Sequence, residues 1–316
     1  MCASATKEDP PMKTKIDRIL CATDLSDISR MVVPYGIDLT KELNASLYVC
    51  HVIDLPTISV YGEAVFDPIT QQQRFRDFAS QEIESQLSDA PVESTPLVTF
   101  GHTTEEITRL TAEYGIDLVI TATHGRSGLR RLFLGSVTER LMRTLNTPLL
   151  VLRTAEEAET ANRQEIPFNR ILVGCDFSGH AEAAFSCSLN LAREMASELH
   201  LVHVVEPDDY KEDSGFPPES SDQLEEDFHF SITEKLRAMV PEQDLNRNVR
   251  LKTSVLVGKP YAELVAYAER HEIDLVVLGV RGRGMVESLL VGSTTDRVVR
   301  RAPCPVLSVN PGAEAE

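Results

Sequence analysis

One stretch able to hold an anion occurs twice in this chain. The first copy runs from Ala122 through Thr123, His124, Gly125 and Arg126 to Gly135 and Ser136. The second runs from Gly279 through Val280, Arg281, Gly282 and Arg283 to Gly292 and Ser293. Glycines let backbone N–H groups turn towards an anion with no Cβ in the way. A serine opening the next helix adds a hydroxyl at the helix's positive end. The chemistry implied is phosphate binding, in two cradles. Arg126, Arg281 and Arg283 flank the loops and can screen a polyphosphate, although a solvated surface arginine is the plainer reading of each. His124 and Arg281 occupy equivalent places, which argues against a catalytic group there.

Each candidate also has a purely structural reading. Ser136 heads Ser-Val-Thr-Glu and Ser293 heads Ser-Thr-Thr-Asp, both with the spacing of a capping box. A capping serine and a phosphate ligand stand in the same place, and the preceding glycines favour phosphate. Asp24 and Asp176 end apolar runs just before Leu-Ser and Phe-Ser, where an N-cap needs no ligand. Ala122 breaks the glycine pattern. If the position requires a positive φ, alanine costs on the order of 1 kcal/mol there. If the backbone is extended, one methyl merely trims the pocket.

The elements that position these residues also repeat. Asp24 and Asp176, like His51 and His203, stand 152 positions apart; Gly101 and Gly258, Asp117 and Asp274, Gly125 and Gly282, and Gly135 and Gly292 stand 157 apart. Two constant offsets mark an internal duplication, with five residues gained in the acidic, proline-bearing stretch from Glu206 to Asp222. The spacing predicts strands at 16–24, 45–52 and 94–100, helices at 26–43, 72–88 and from Thr103, and a fourth strand feeding the glycine loop. Strands alternating with helices imply right-handed crossovers and a parallel sheet covered on both faces. Ligands of such sheets lie at the carboxyl ends of the strands, where strand order reverses. The division expected is a tail at 1–15, a domain at 16–153, a polar linker at 154–167, a second domain at 168–310 and a tail at 311–316.

The chain has 316 residues, 42% hydrophobic and 25% charged, with a net charge of −18. That balance argues against a sequence-independent grip on nucleic acid or anionic lipid. No apolar run approaches a membrane span, and residues 1–15 lack the apolar core of a signal peptide. The six cysteines form no Cys-x-x-Cys pair, and most sit in apolar runs as expected of reduced, buried thiols. A cytoplasmic location is the expectation. No His, Cys or carboxylate cluster has metal-site spacing, so any Mg²⁺ arrives on phosphates. The P-loop, the dinucleotide fingerprint, kinase motifs and the Gly-x-Ser-x-Gly elbow are absent. So is a repeated acid/base pair fit to activate water.

The spacing Gly-x-x-Gly, nine residues, Gly-Ser, after an apolar strand, resembles the nucleotide-binding pattern of universal stress proteins. Gly279, Gly282, Gly292 and Ser293 match it fully; the first copy matches at Gly125, Gly135 and Ser136 but has Ala122 in place of the first glycine. The resemblance implies an α/β fold: two tandem Rossmann-like (HUP-type) domains, each a five-stranded parallel sheet with helices on both faces. It implies ATP, ADP or AMP as ligand, with Asp24 and Asp176 on the adenosine. Val52 and Val204 would offer backbone to the adenine edge, and the glycine loops with Ser136 and Ser293 would hold ribose and phosphates. The family also has a branch without detectable ATP binding. It implies domain pairing through 149–152 and 306–309, leaves a homodimer open, and points to a stress-response regulator with an unknown protein partner. The alternatives are an interaction scaffold without nucleotide and a slow ATP hydrolase. Weaker nucleotide binding is expected in the first half.

Overall fold

The computed structural model describes residues 15–27, 29–54, 68–123, 134–153, 168–206, 222–241, 250–282 and 291–311. Candidate residues Gly125, Arg126 and Arg283, the linker at 154–167 and residues 1–14 lie outside that set.

The first half contains strands β1 (Arg18–Ala22), β2 (Ser46–Ile53), β3 (Ser94–Phe100), β4 (Leu118–Ala122) and β5 (Leu149–Leu152). Between them lie helices α1 (Val32–Leu43), α2 (Pro68–Leu87), α3 (Thr103–Tyr114) and α4 (Ser136–Thr144). The second half repeats the order with β6 (Arg170–Gly174), α5 (Gly179–Met195), β7 (Glu198–Val205), α6 (Asp222–Ala238) and β8 (Arg250–Val257). It continues through α7 (Pro260–Arg270), β9 (Leu275–Gly279), α8 (Ser293–Arg301) and β10 (Val306–Val309).

Within each half every pairing is parallel. Period-two alternation sends Ile19 and Cys21 to one face and Leu20 and Ala22 to the other. The first face packs on α1 and α2 through Val33, Leu39 and Ile83; the second packs on α3 and α4 through Ile107, Leu110 and Leu141. The second half repeats this with Ala184 and Leu236 on one side and Leu264 and Val298 on the other. Strand order is β3-β2-β1-β4-β5-β10-β9-β6-β7-β8, one continuous ten-stranded sheet. Each half therefore reverses direction between β1 and β4, or between β6 and β9. Those crevices are where the repeated loops converge.

The halves join where β5 meets β10 antiparallel, Val151 opposite Val306 and Leu149 opposite Ser308. Each would otherwise be an exposed edge. Ser308 donates its hydroxyl to the Leu149 carbonyl at 3.3 Å, and the Arg153 guanidinium reaches the Ala302 carbonyl. The expected helix from Ser26 differs in detail: a 3₁₀ turn at Ser29–Met31 precedes α1, which starts at Val32. No helix among the described residues is long and apolar enough to cross a membrane.

Candidate functional site

The turn after the first strand of each half is built on one device. Asp176 Oδ1 accepts from the Ser178 N–H at 3.0 Å and from its hydroxyl at 2.5 Å. Asp24 Oδ1 does the same with Ser26, at 3.1 and 2.6 Å. These are Asx turns, which let the aspartate substitute for a backbone turn. The residues between, Phe177 and Leu25, are forced to φ of 61° and 59°, a left-handed conformation rare for such side chains. This corrects the N-cap reading of the aspartates. In the second half the cap is Ser178, which accepts from the Ala181 N–H at 3.2 Å. The aspartate is left aimed across the crevice, and a Cβ placed on Gly282 would lie 2.6 Å from Asp176 Oδ2. A carboxylate so placed is an acceptor for ligand hydroxyls, not a phosphate contact.

The loops after β4 and β9 close against their own strands, Gly135 N–H to the Thr123 carbonyl and Gly292 N–H to the Val280 carbonyl, each at 2.8 Å. The helix caps are Gly135 and Gly292 themselves, with no side-chain capping bond. Ser136 and Ser293 stand one place inside, so the capping-box reading fails and both hydroxyls are spared for another use. Thr138 and Thr295, a turn into each helix, donate to the Ala122 and Gly279 carbonyls at 2.9 and 2.7 Å. They pin helix to strand end. His51 and His203 share a tie too, Nδ1 to the Thr23 and Cys175 carbonyls at 2.9 and 2.6 Å, in keeping with a structural role.

Around each crevice lies a cavity. The one in the second half, about 490 Å³, brings together Asp176, Val204, Gly279, Arg281, Gly282, Gly292 and Ser293. Its counterpart, about 240 Å³, gathers Asp24, Val52, Ala122, Gly135 and Ser136. Only the larger falls within the range usual for small-molecule sites, roughly 300–1,000 Å³. Cys50 and Cys175 also border the cavities, but burial pushes both thiols up to about 12, so neither is an available nucleophile.

The strand ends bordering the two cavities differ, Ala122 in one and Gly279 in the other. Gly279 is ordinary strand backbone, so no positive φ is involved. A Cβ on it would lie 2.7 Å from backbone atoms of His180 at the start of α5. The first half carries that methyl, and α1 begins at Val32, five positions beyond residue 27, the counterpart of Gly179.

Other lining residues carry no motif. Phe228, Ile232 and Lys235 of α6 and Glu206 at the end of β7 border the larger cavity. Buried Ala79 and Ile83 of α2 match Ile232 and Leu236 of α6, and in that register Lys235 stands where the first half has Glu82. The larger cavity thus gains a cation, while α2 contributes no residue to the lining of the smaller one. Only the fold shows this, because α6 is remote in sequence from the glycine loop.

The model of the Universal stress protein family matches residues 15–153 and again 167–310. A universal stress protein of Methanocaldococcus jannaschii is 30% identical over 142 residues, covering 45% of this chain and 82% of its own length. One from Thermus aquaticus is 34% identical over 149 residues, covering 45% and 98%. The crystal structure of a universal stress protein from Archaeoglobus fulgidus superposes with a TM-score of 0.67 at 22% identity, over 93% of this chain and 98% of that one.

Proposed function

The chain belongs to the universal stress protein family, and from that premise we propose that it is an adenine-nucleotide-binding regulator of the stress response. Domain 2 (168–310) is the working site in this reading and domain 1 (16–153) the reduced one. The observation that carries it is the larger cavity, which gathers Asp176, Val204, Arg281, Ser293 and the glycines Gly279, Gly282 and Gly292, the first two in close contact with their surroundings. A Cβ on Gly279 or Gly282 would collide with His180 backbone or the Asp176 carboxylate.

The residues present suit ATP, ADP or AMP. Asp176 accepts from ribose hydroxyls, and Val204 presents backbone to the base. Gly282, Gly292 and the Ser293 hydroxyl sit at the positive end of α8, where phosphates belong. Arg281 and Lys235 add cations, and Mg²⁺ would come on the phosphates. Holding a nucleotide without a group placed to activate water suits a sensor, whose ligand shifts a conformational or assembly equilibrium.

Isothermal titration of ATP–Mg²⁺ into the full chain and into Gly282→Val tests the reading. Saturable binding that the variant loses, with its thermal unfolding unchanged, is expected. No binding to stripped parent protein would replace the reading with a scaffold that works without nucleotide.

A further inference from the structure

The surface of domain 2 carries a second group of cations, outside the cavity, that the nucleotide reading does not use. Arg297 and Arg301 are exposed and lie one turn apart on α8. Both guanidiniums stack on the Tyr261 ring of α7, 4.7 and 5.2 Å from its centroid. Among the described residues neither has a carboxylate within ion-pair distance, although the chain carries 18 more acidic than basic charges. Other arginines do: Arg109 with Glu106, Arg170 with Glu272, Arg237 with Glu234. The acid nearest in sequence, Asp296, is held by Arg300 at 2.6 Å. Two arginines without acids among the described residues of so acidic a chain, and held over a shared ring, form a prepared anion-binding surface.

Domain 1 lacks it. At the 157 offset Arg297, Arg301 and Tyr261 correspond to Arg140, Thr144 and Thr104, and Arg140 is paired with Glu105 at 3.7 Å. The feature is therefore not a requirement of the fold.

We infer that Tyr261, Arg297 and Arg301 form a docking site for an acidic segment of a protein partner. The ring holds both guanidiniums close to one surface, which lowers the ordering cost of binding carboxylates. Residues one turn apart on a helix are separated by about 6 Å along its axis. Alternate residues of an extended peptide are separated by about 6.6 Å and point the same way. Two acids at i and i+2 of an extended segment thus meet both arginines. Two arginines make too small a basic surface for nucleic acid or an anionic membrane, which need many phosphate contacts, and suit a short acidic segment. Ser293, Arg297 and Arg301 lie on one i, i+4 ridge, so the docked segment sits beside the proposed phosphate end of the cavity.

The test is fluorescence anisotropy with a labelled peptide of five Glu-Ala repeats, at about 50 mM salt, with the full chain. Saturable binding is expected, weakened at least fivefold in Arg297→Gln/Arg301→Gln and two- to threefold in Tyr261→Leu. The matched pair Arg140→Gln/Arg143→Gln removes the same charge from domain 1 and should leave binding unchanged. ATP–Mg²⁺ titration and thermal unfolding of each variant show whether domain 2 remains intact. No binding to the parent, or equal weakening by the two double variants, overturns the proposal.

Discussion

Domain 1 and domain 2 share strand order, the Asx turn after the first strand and the threonine tie from helix to strand end, yet their crevices differ at a few positions. Ala122 faces Gly279, Glu82 faces Lys235, and Ser29 faces Ala181. In domain 1 the Ser29 hydroxyl meets the Thr23 hydroxyl at 2.9 Å and accepts from the Ser26 hydroxyl at 3.4 Å. Those bonds stitch the turn to itself, where domain 2 has Cys175 and Ala181 instead. The comparison shows that the fold tolerates different residues around its two crevices, with cavities of about 240 and 490 Å³. A duplicated domain can then keep its share of the ten-stranded sheet while its crevice drifts.

The difference is easiest to break at the glycine. Gly279→Ala gives domain 2 the methyl of domain 1 against the backbone of His180, and ATP–Mg²⁺ affinity should fall at least 30-fold by titration. Retained affinity would mean that helix position is not what separates the two crevices.

A second contrast lies lower in the domains, away from the cavities. Domain 2 buries His200 with Nδ1 3.0 Å from the Tyr267 hydroxyl. Around it stand Glu198, 3.8 Å from Nε2, Lys252, His271 and Arg170; domain 1 has Tyr48 against Tyr114. Burial, only partly opposed by Glu198, lowers the imidazole to about 4. The unfolded chain, titrating near 6.5, binds the extra proton first. This contribution to stability is therefore full above pH 6.5 and is lost as pH falls towards 4. Thermal unfolding from pH 7 to 4.5 should show this loss, and His200→Gln should flatten it. An unchanged slope would assign acid sensitivity to other groups.

The charge reversal should matter less than the glycine. Lys235→Glu is expected to weaken ATP–Mg²⁺ five- to tenfold, about 1 kcal/mol, with a smaller effect at high salt. The reverse repair is smaller still. Ala122→Gly opens domain 1 to no more than a severalfold gain, because no α2 cation lines its cavity and the Ser29 bonds remain, and it costs about 0.5–1 kcal/mol of strand stability.

Much of this contrast was legible in the chain and part of it was not. The third strand falls at 94–100 as its alternation implies, and the paired offsets locate both crevices, because duplication repeats local pattern. The start of α1 was not legible, since apolar spacing does not separate the 3₁₀ turn at Ser29–Met31 from the helix that follows. Nor were the left-handed Leu25 and Phe177, whose side chains carry no turn signal and are held by the neighbouring Asp-x-Ser bonds. The helix at 222–238 followed a compositionally biased stretch that obscured its periodicity, and with it Lys235. Serine as cap or as ligand could not be separated by spacing alone; the capping position had to be seen filled by glycine.

The most direct test of the unequal halves is hydrogen exchange of the full chain with and without saturating ATP–Mg²⁺. Protection is predicted at Asp176–Ser178, Gly279–Gly282 and Gly292–Thr295, with Asp24–Ser26, Ala122–Thr123 and Gly135–Thr138 unchanged. Equal protection of both sets, or protection of the domain 1 set alone, would contradict the account.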